Sequence, residues 1–283
     1  ERERSARLEH DLELQASRSV AHATRLARPA AIGIYSAGAR LSYDALERRA
    51  KAQAPTFVVA RAGIDPVPYV ARAHLAGPRA RSPLVVVDGT STREHDLPRW
   101  SDPERSPLAL ADGGVLLLVD APCLPDTVQR LVARALAERR PPWERAQPID
   151  VVLVATAAQA PAELVESGRL DEALAARLGA AIDEAVVLPR LADRPEDLRA
   201  IVTDRLAREG LRQLGRPVGI DDAAFGLLCE HPFEGEDAEL ALLAAKLVAR
   251  ATGDVIRADD VRALGLPTPV REEPSAGGLK LVR

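Results

Sequence analysis

The stretch Arg61-Ala62-Gly63-Ile64-Asp65-Pro66-Val67-Pro68-Tyr69 stands where a phosphate-binding loop belongs, between a strand-like run, Thr56–Ala60, and a helix-like run, Val70–Leu75. Such loops follow G-x-x-x-x-G-K-[ST]: glycines let backbone N–H groups wrap the phosphates, and the lysine reaches the terminal ones. At this spacing the second glycine falls on Pro66 and the lysine on Val67. Proline has no amide donor, and valine cannot replace an ammonium. The placement is that of a phosphate loop; the chemistry is not.

No other constellation competes. His10, His22, His74, His95 and His231 are scattered, with no H-E-x-x-H and no cysteine at ligand spacing, so no metal centre is expected. Ser91 and Ser101 lack a nucleophile-elbow context. Trp100, near Arg93, Arg99 and Arg105, reads as an exposed contact patch or, the reading preferred, as a partly buried anchor for its loop.

These residues need a scaffold, and 283 residues suffice for one large domain or two smaller ones. With 47% hydrophobic but only 3% aromatic residues, the core must be built mainly from Leu, Val and Ala. A net charge of -4 argues against a dedicated nucleic-acid surface, although a local basic patch can hide inside that total. Cys123 and Cys229 are too few for a disulfide framework, so a reducing, cytoplasmic setting is expected. No apolar run approaches the ~18 residues that span a bilayer. Starting at Glu1 and lacking methionine, the chain reads as a segment of a longer protein.

Residues 1–30 form a first region, rich in Glu, Arg and Ala with Leu8, Leu12, Val20 and Leu26 as sparse apolar anchors. It reads as a linker helix, either solvated or pairing through a narrow seam. From Ala31 strand-like runs alternate with helical patterns: Ala31–Tyr35, Thr56–Ala60, Leu84–Val87, Val115–Val119, Val151–Ala155 and Ala185–Leu188. Continuous hydrophobicity in these runs points to strands covered on both faces, hence an α/β domain with a parallel sheet over 31–192. After Pro195 the strands are expected to stop, and helical patterns over 193–264 form a smaller subdomain. Residues 265–283 read as a flexible tail.

This order of elements resembles the AAA+ domain of bacterial sigma-54 activators, from about Tyr43 to Val261. Ala111-Asp112-Gly113-Gly114 before Val115–Leu118 is similar to the family's glycine pair and the strand leading into Walker B. Leu124-Pro125, Gln129 and Leu131 to Glu138 follow its LP...Q..LL..L.E helix. Gly168-Arg169-Leu170 to Arg177-Leu178 resembles GxFRxDLYxRL, and Leu188-Pro189-Arg190-Leu191 with Arg194-Pro195-Glu196-Asp197-Leu198 resembles LPPLRERxEDI. His231-Pro232 through Gly235 to Leu240 follows the lid pattern ending in WPGNVREL. The resemblance implies a P-loop-type parallel sheet flanked by helices and a helical lid.

It also implies which positions to inspect. The loop glycines fall on Arg61, Ile64 and Pro66, and Gly63 is read as allowing a turn. Walker B becomes Val119-Asp120, with valine at the magnesium-organising acid; the sensor asparagine becomes Ala157, and the lid arginine Ala238. At the subunit interface the family's reaching arginine falls on Asp171, while Arg177 keeps a second one. The GAFTGA loop that contacts sigma-54 is absent from the proline-interrupted stretch 88–112, which is expected to be irregular. Phosphoryl transfer depends on positioning and electrostatic stabilisation, and these are the groups that supply both. The expectation is a pseudo-ATPase without cofactor, with no catalytic residue, no direct DNA binding by this segment and no membrane contact. It is expected to serve as a regulatory or scaffolding module for protein partners, by self-association or among related AAA+ subunits. The alternative is an ATP-binding regulator with an unorthodox pocket, in which Arg61 takes the role of the lysine and Mg²⁺ accompanies the nucleotide.

Overall fold

The computed structural model describes residues 2–28, 34–143 and 147–266. The chain divides into two compact units: residues up to Ile201 together with Gly235–Ala238, and Val202–Glu234 together with the residues from Glu239 onward.

The first unit is built on a parallel sheet of β1 (Thr56–Val59), β2 (Leu84–Asp88), β3 (Val115–Val119), β4 (Val152–Ala157) and β5 (Val186–Val187), in the order β2-β3-β4-β1-β5. Its strands are apolar at successive positions because each face meets its own core. Leu116 and Leu118 of β3 point to one core, formed with α6 (Asp126–Glu138) and α8 (Glu172–Leu178) through Val128, Val132, Leu136, Leu174 and Leu178. Val115 and Leu117 point to the other, formed with α1 (Arg2–Ala27), α2 (Ala37–Lys51) and α3 (Val67–Ala76) through Ala27, Leu46 and Val70. The period of two in a strand makes this division, and it explains the unbroken apolar runs.

Three expectations need correction. Of the run Ala31–Tyr35, residues 31–33 lie outside the described residues, and Ile34 and Tyr35 are not in a strand; the Tyr35 N–H donates instead to the Asp197 carboxylate. The stretch after β2 is not wholly irregular. It holds the short helices α4 (Leu97–Trp100) and α5 (Pro107–Leu110), pinned by the buried Trp100 and by Ser106, whose hydroxyl donates to the Trp100 carbonyl at 2.8 Å and accepts from Leu108 N–H. The helix α7 (Pro161–Glu166) precedes α8 in the same unit. Strands also recur after Pro195: β6 (Gly219–Ile220) and β7 (Val255–Ile256) pair in parallel within the second unit. Two-residue strands carry too little pattern to be read from sequence.

The remaining helices are α9 (Pro195–Leu214), α10 (Asp222–Cys229), α11 (Glu236–Arg250) and α12 (Ala258–Arg262). In the second unit Leu206, Val218, Leu228, Leu243, Leu247, Ile256 and Val261 are buried. The first helix buries Ala23 and Ala27 toward its C-terminal end and packs on α3, whereas Leu12 and Leu14 are exposed and Glu13 pairs with Arg81 at 2.6 Å.

His74 in α3 is buried, with Nε2 3.2 Å from the Ser82 carbonyl and Nδ1 without a partner. Burial, helped by the charge of Arg79, lowers its pKa below the usual 6.5. The unfolded chain therefore takes up a proton that the folded chain resists, and stability falls as pH drops through the unfolded value. Thermal melts at about pH 7.5 and about pH 5.5, which bracket the ordinary histidine pKa, are expected to show a lower Tm at the acid end; His74→Leu should reduce that difference.

Candidate nucleotide site

The ends of β1, β3 and β4 gather most of the residues singled out from sequence. Residues 60–66 join β1 to α3. Ala60 N–H donates to the Ala157 carbonyl at 2.9 Å, bringing the loop's start to the end of β4, and Ile64 N–H turns back to the Arg61 carbonyl at 3.0 Å. Gly63 has φ +94°, and a Cβ there would stand 2.3 Å from the Gly235 carbonyl oxygen. Only glycine fits that backbone conformation at that separation. The Gly63 carbonyl in turn accepts from Ala238 N–H at 3.1 Å, so the start of α11 is bonded directly to this loop.

Toward α3 the loop's donors are missing or engaged. Pro66 and Pro68 have no N–H, and Val67 N–H donates to the Asp65 carboxylate at 3.0 Å. A helix N-terminus attracts anions through its open amides and its dipole. At α3 the anion on the first turn belongs to the chain itself. Arg61 is exposed, and Val67 is half-buried against the core of α1 to α3. The capping role of Asp65 had a signal in the sequence, since aspartate two residues before an amide is a common turn acceptor.

One turn into α3, Tyr69 is buried and its hydroxyl accepts from Arg194 Nη1. Burial raises the Tyr69 pKa, with the Arg194 charge opposing the shift. Arg194 is itself buried, with Nε 3.5 Å from Asp197 Oδ2. Asp197, fully buried, also accepts from the N–H groups of Tyr35 and Ser36 and from the Ser36 hydroxyl at 2.8 Å. A second buried carboxylate, Glu236, accepts from Leu191 N–H at 2.6 Å and pairs with Arg190 at 3.3 Å. It occupies a left-handed backbone position, φ +54°, just before Asp237 and Ala238. Nothing in the sequence marks Glu236 as buried.

At the end of β3, Val119 is half-buried in the α3-side core. Asp120 adopts φ +48°, and its N–H donates to Thr156 Oγ1 at 3.1 Å. Its pKa is raised, first by burial and then by the neighbouring Asp88, whose Oδ1 accepts from the N–H and hydroxyl of Thr90. Two acids thus adjoin at the ends of β2 and β3. Among the described residues no group of three or more His, Cys, Asp or Glu is placed to hold a metal ion. Ala157 is buried in the α6-side core.

Asp171 and Arg177 lie apart from this cluster, on the α8 side of the sheet. The Asp171 carboxylate accepts from Ala173 N–H at 2.9 Å and caps α8, while its own N–H donates to Gln129 Oε1. Arg177 is exposed in the last turn of α8.

No protein-family model matches the sequence. The chain is 26% identical over 216 residues to the Nif-specific regulatory protein of Azotobacter vinelandii, an alignment covering 71% of this chain and 41% of that protein. In structure it is similar to NtrX from Brucella abortus in complex with ATP, with a TM-score of 0.69 at 23% identity, over 86% of this chain and 57% of that one. It also resembles the RuvB Holliday junction branch migration motor of Thermotoga maritima, with a TM-score of 0.50 at 17% identity over 79% of this chain and 65% of that one. The chain thus spans less than two thirds of each of these proteins. The parallel-sheet architecture, its order of elements and the alignment with the regulatory protein agree: the chain has the fold of these proteins and resembles the AAA+ domain of the sigma-54 activators.

Proposed function

We propose that this domain is a pseudo-ATPase, an AAA+ body that does not turn over nucleotide and serves as a regulatory or scaffolding module for protein partners. The observation that carries this reading is the first turn of α3, where Val67 stands at the lysine position and its N–H is taken by the Asp65 carboxylate. A triphosphate placed there would meet an anion instead of an ammonium and two prolines instead of amide donors. At the end of β3 Val119 offers no metal ligand, and at the end of β4 Ala157 offers no polar group to orient water. Phosphoryl transfer leaves the protein little to do beyond positioning and charge stabilisation, so these substitutions act on the same step.

A second reading, an ATP-binding regulator with an unorthodox pocket, draws on one observation: Arg61 is exposed at the loop's start, where a guanidinium could take a phosphate. The similar NtrX structures were determined in complex with ATP and with ADP. Isothermal titration with Mg·ATP separates the two. No saturable heat is expected; binding tighter than ~100 μM, about -5.5 kcal/mol, would support the second reading instead.

A further inference from the structure

An open groove of about 660 Å³ runs along α6 and the segment that follows it. Its lining includes half-buried Leu97 and Leu131, buried Ala135 and part-buried Trp143, all packed in or on the α6-side core. Three exposed arginines, Arg130, Arg134 and Arg140, share the same lining with one carboxylate, Glu138, which pairs with Arg134 at 3.0 Å. Arg130 and Arg140 have no carboxylate partner among the described residues. The groove is therefore locally cationic on a chain whose net charge is -4. It shares no residue with the loop before α3.

We propose that this groove docks an acidic segment of a partner protein, anchored by a large apolar side chain. Apolar floor and charged rim are the arrangement of a peptide-binding interface: the anchor is desolvated on the floor, while carboxylates meet the arginines and set orientation and encounter rate. A single nucleic-acid strand could use the same arginines and stack on Trp143. Glu138 within the lining and the aliphatic floor of Leu97, Leu131 and Ala135 favour the peptide.

The chain has two tryptophans, Trp143 in the groove lining and the buried Trp100, so emission is read in a Trp100→Phe background, where Trp143 alone reports on the groove. The probe is a capped peptide of alternating aspartate and leucine, roughly eight residues long, titrated into the full chain. A saturable emission change is expected, absent with a lysine–leucine peptide, and weakened at least about tenfold by Arg130→Glu with Arg140→Glu. Thermal melting of that variant checks that it is folded, and Arg130→Gln with Arg140→Gln, with a smaller loss of affinity, serves if it is not. The proposal is overturned by the absence of saturable binding, by charge reversal leaving affinity unchanged, or by oligothymidylate binding more tightly than the acidic peptide with the same arginine dependence.

Discussion

Asp197→Ala is expected to destabilise the folded chain by about 3–5 kcal/mol, the usual result of breaking a buried ion pair from one side. Asp197 is fully buried and accepts from three donors, the N–H groups of Tyr35 and Ser36 and the Ser36 hydroxyl, while also facing Arg194. Its removal strands the Arg194 guanidinium, which is 3% exposed and retains only the Tyr69 hydroxyl among its described partners. Chemical denaturation reads the loss directly. Combining the change with Arg194→Met should cost less than the sum of the single substitutions, because the stranded charge is gone. Recovery will be incomplete, since the Tyr35 and Ser36 donors stay orphaned. A loss below about 1 kcal/mol for Asp197→Ala would mean that water replaces the carboxylate and that the network is not sealed.

Rebuilding the phosphate loop gives the second large effect. Pro66→Gly with Val67→Lys restores a glycine and an ammonium, yet the pair alone is expected to leave ATP binding weak. The Asp65 carboxylate still sits on the α3 N-terminus and would have to be displaced by the incoming phosphates. Adding Asp65→Thr should tighten binding of a fluorescent ATP analogue by about tenfold or more, roughly 1.4 kcal/mol. Micromolar binding by the first pair alone would show that Asp65 does not guard this position.

The sheet was legible because its strands are apolar at nearly every position, Thr56, Asp88 and Thr156 apart, which is how a strand buried on both faces reads. Val115–Val119 is the clearest case, with the same bounds in pattern and in structure. Failures cluster where the pattern is short or the determinant is a distant partner. Gly219–Ile220 and Val255–Ile256 are too brief to carry a period, and their pairing depends on residues far apart in sequence. At the described end of the Ala31–Tyr35 run, Ile34 and Tyr35 are not in a strand, because apolar character alone does not make one; Tyr35 instead lends its N–H to Asp197, far along the chain.

In the candidate site the sequence located the loop, the β3 end and the β4 end, because each lies next to a strand whose position the pattern fixes. It gave Gly63 a turn, but not the reason glycine is required, which is the Gly235 carbonyl 2.3 Å from where a Cβ would be. It could not foresee the buried Glu236 or the Tyr69–Arg194–Asp197 chain, because burial of a charged side chain is settled by partners that only the fold brings together. Asp171 was read through a distant analogy, whereas its local position, two residues before the Ala173 amide, accounts for its helix cap.

The most direct test is steady-state phosphate release by the purified chain in saturating Mg·ATP, over a tenfold range of chain concentration so that assembly does not limit the rate. Asp120→Ala serves as the reference. Release is expected to be indistinguishable between the two at every concentration. Turnover by the native sequence that disappears in Asp120→Ala would contradict it.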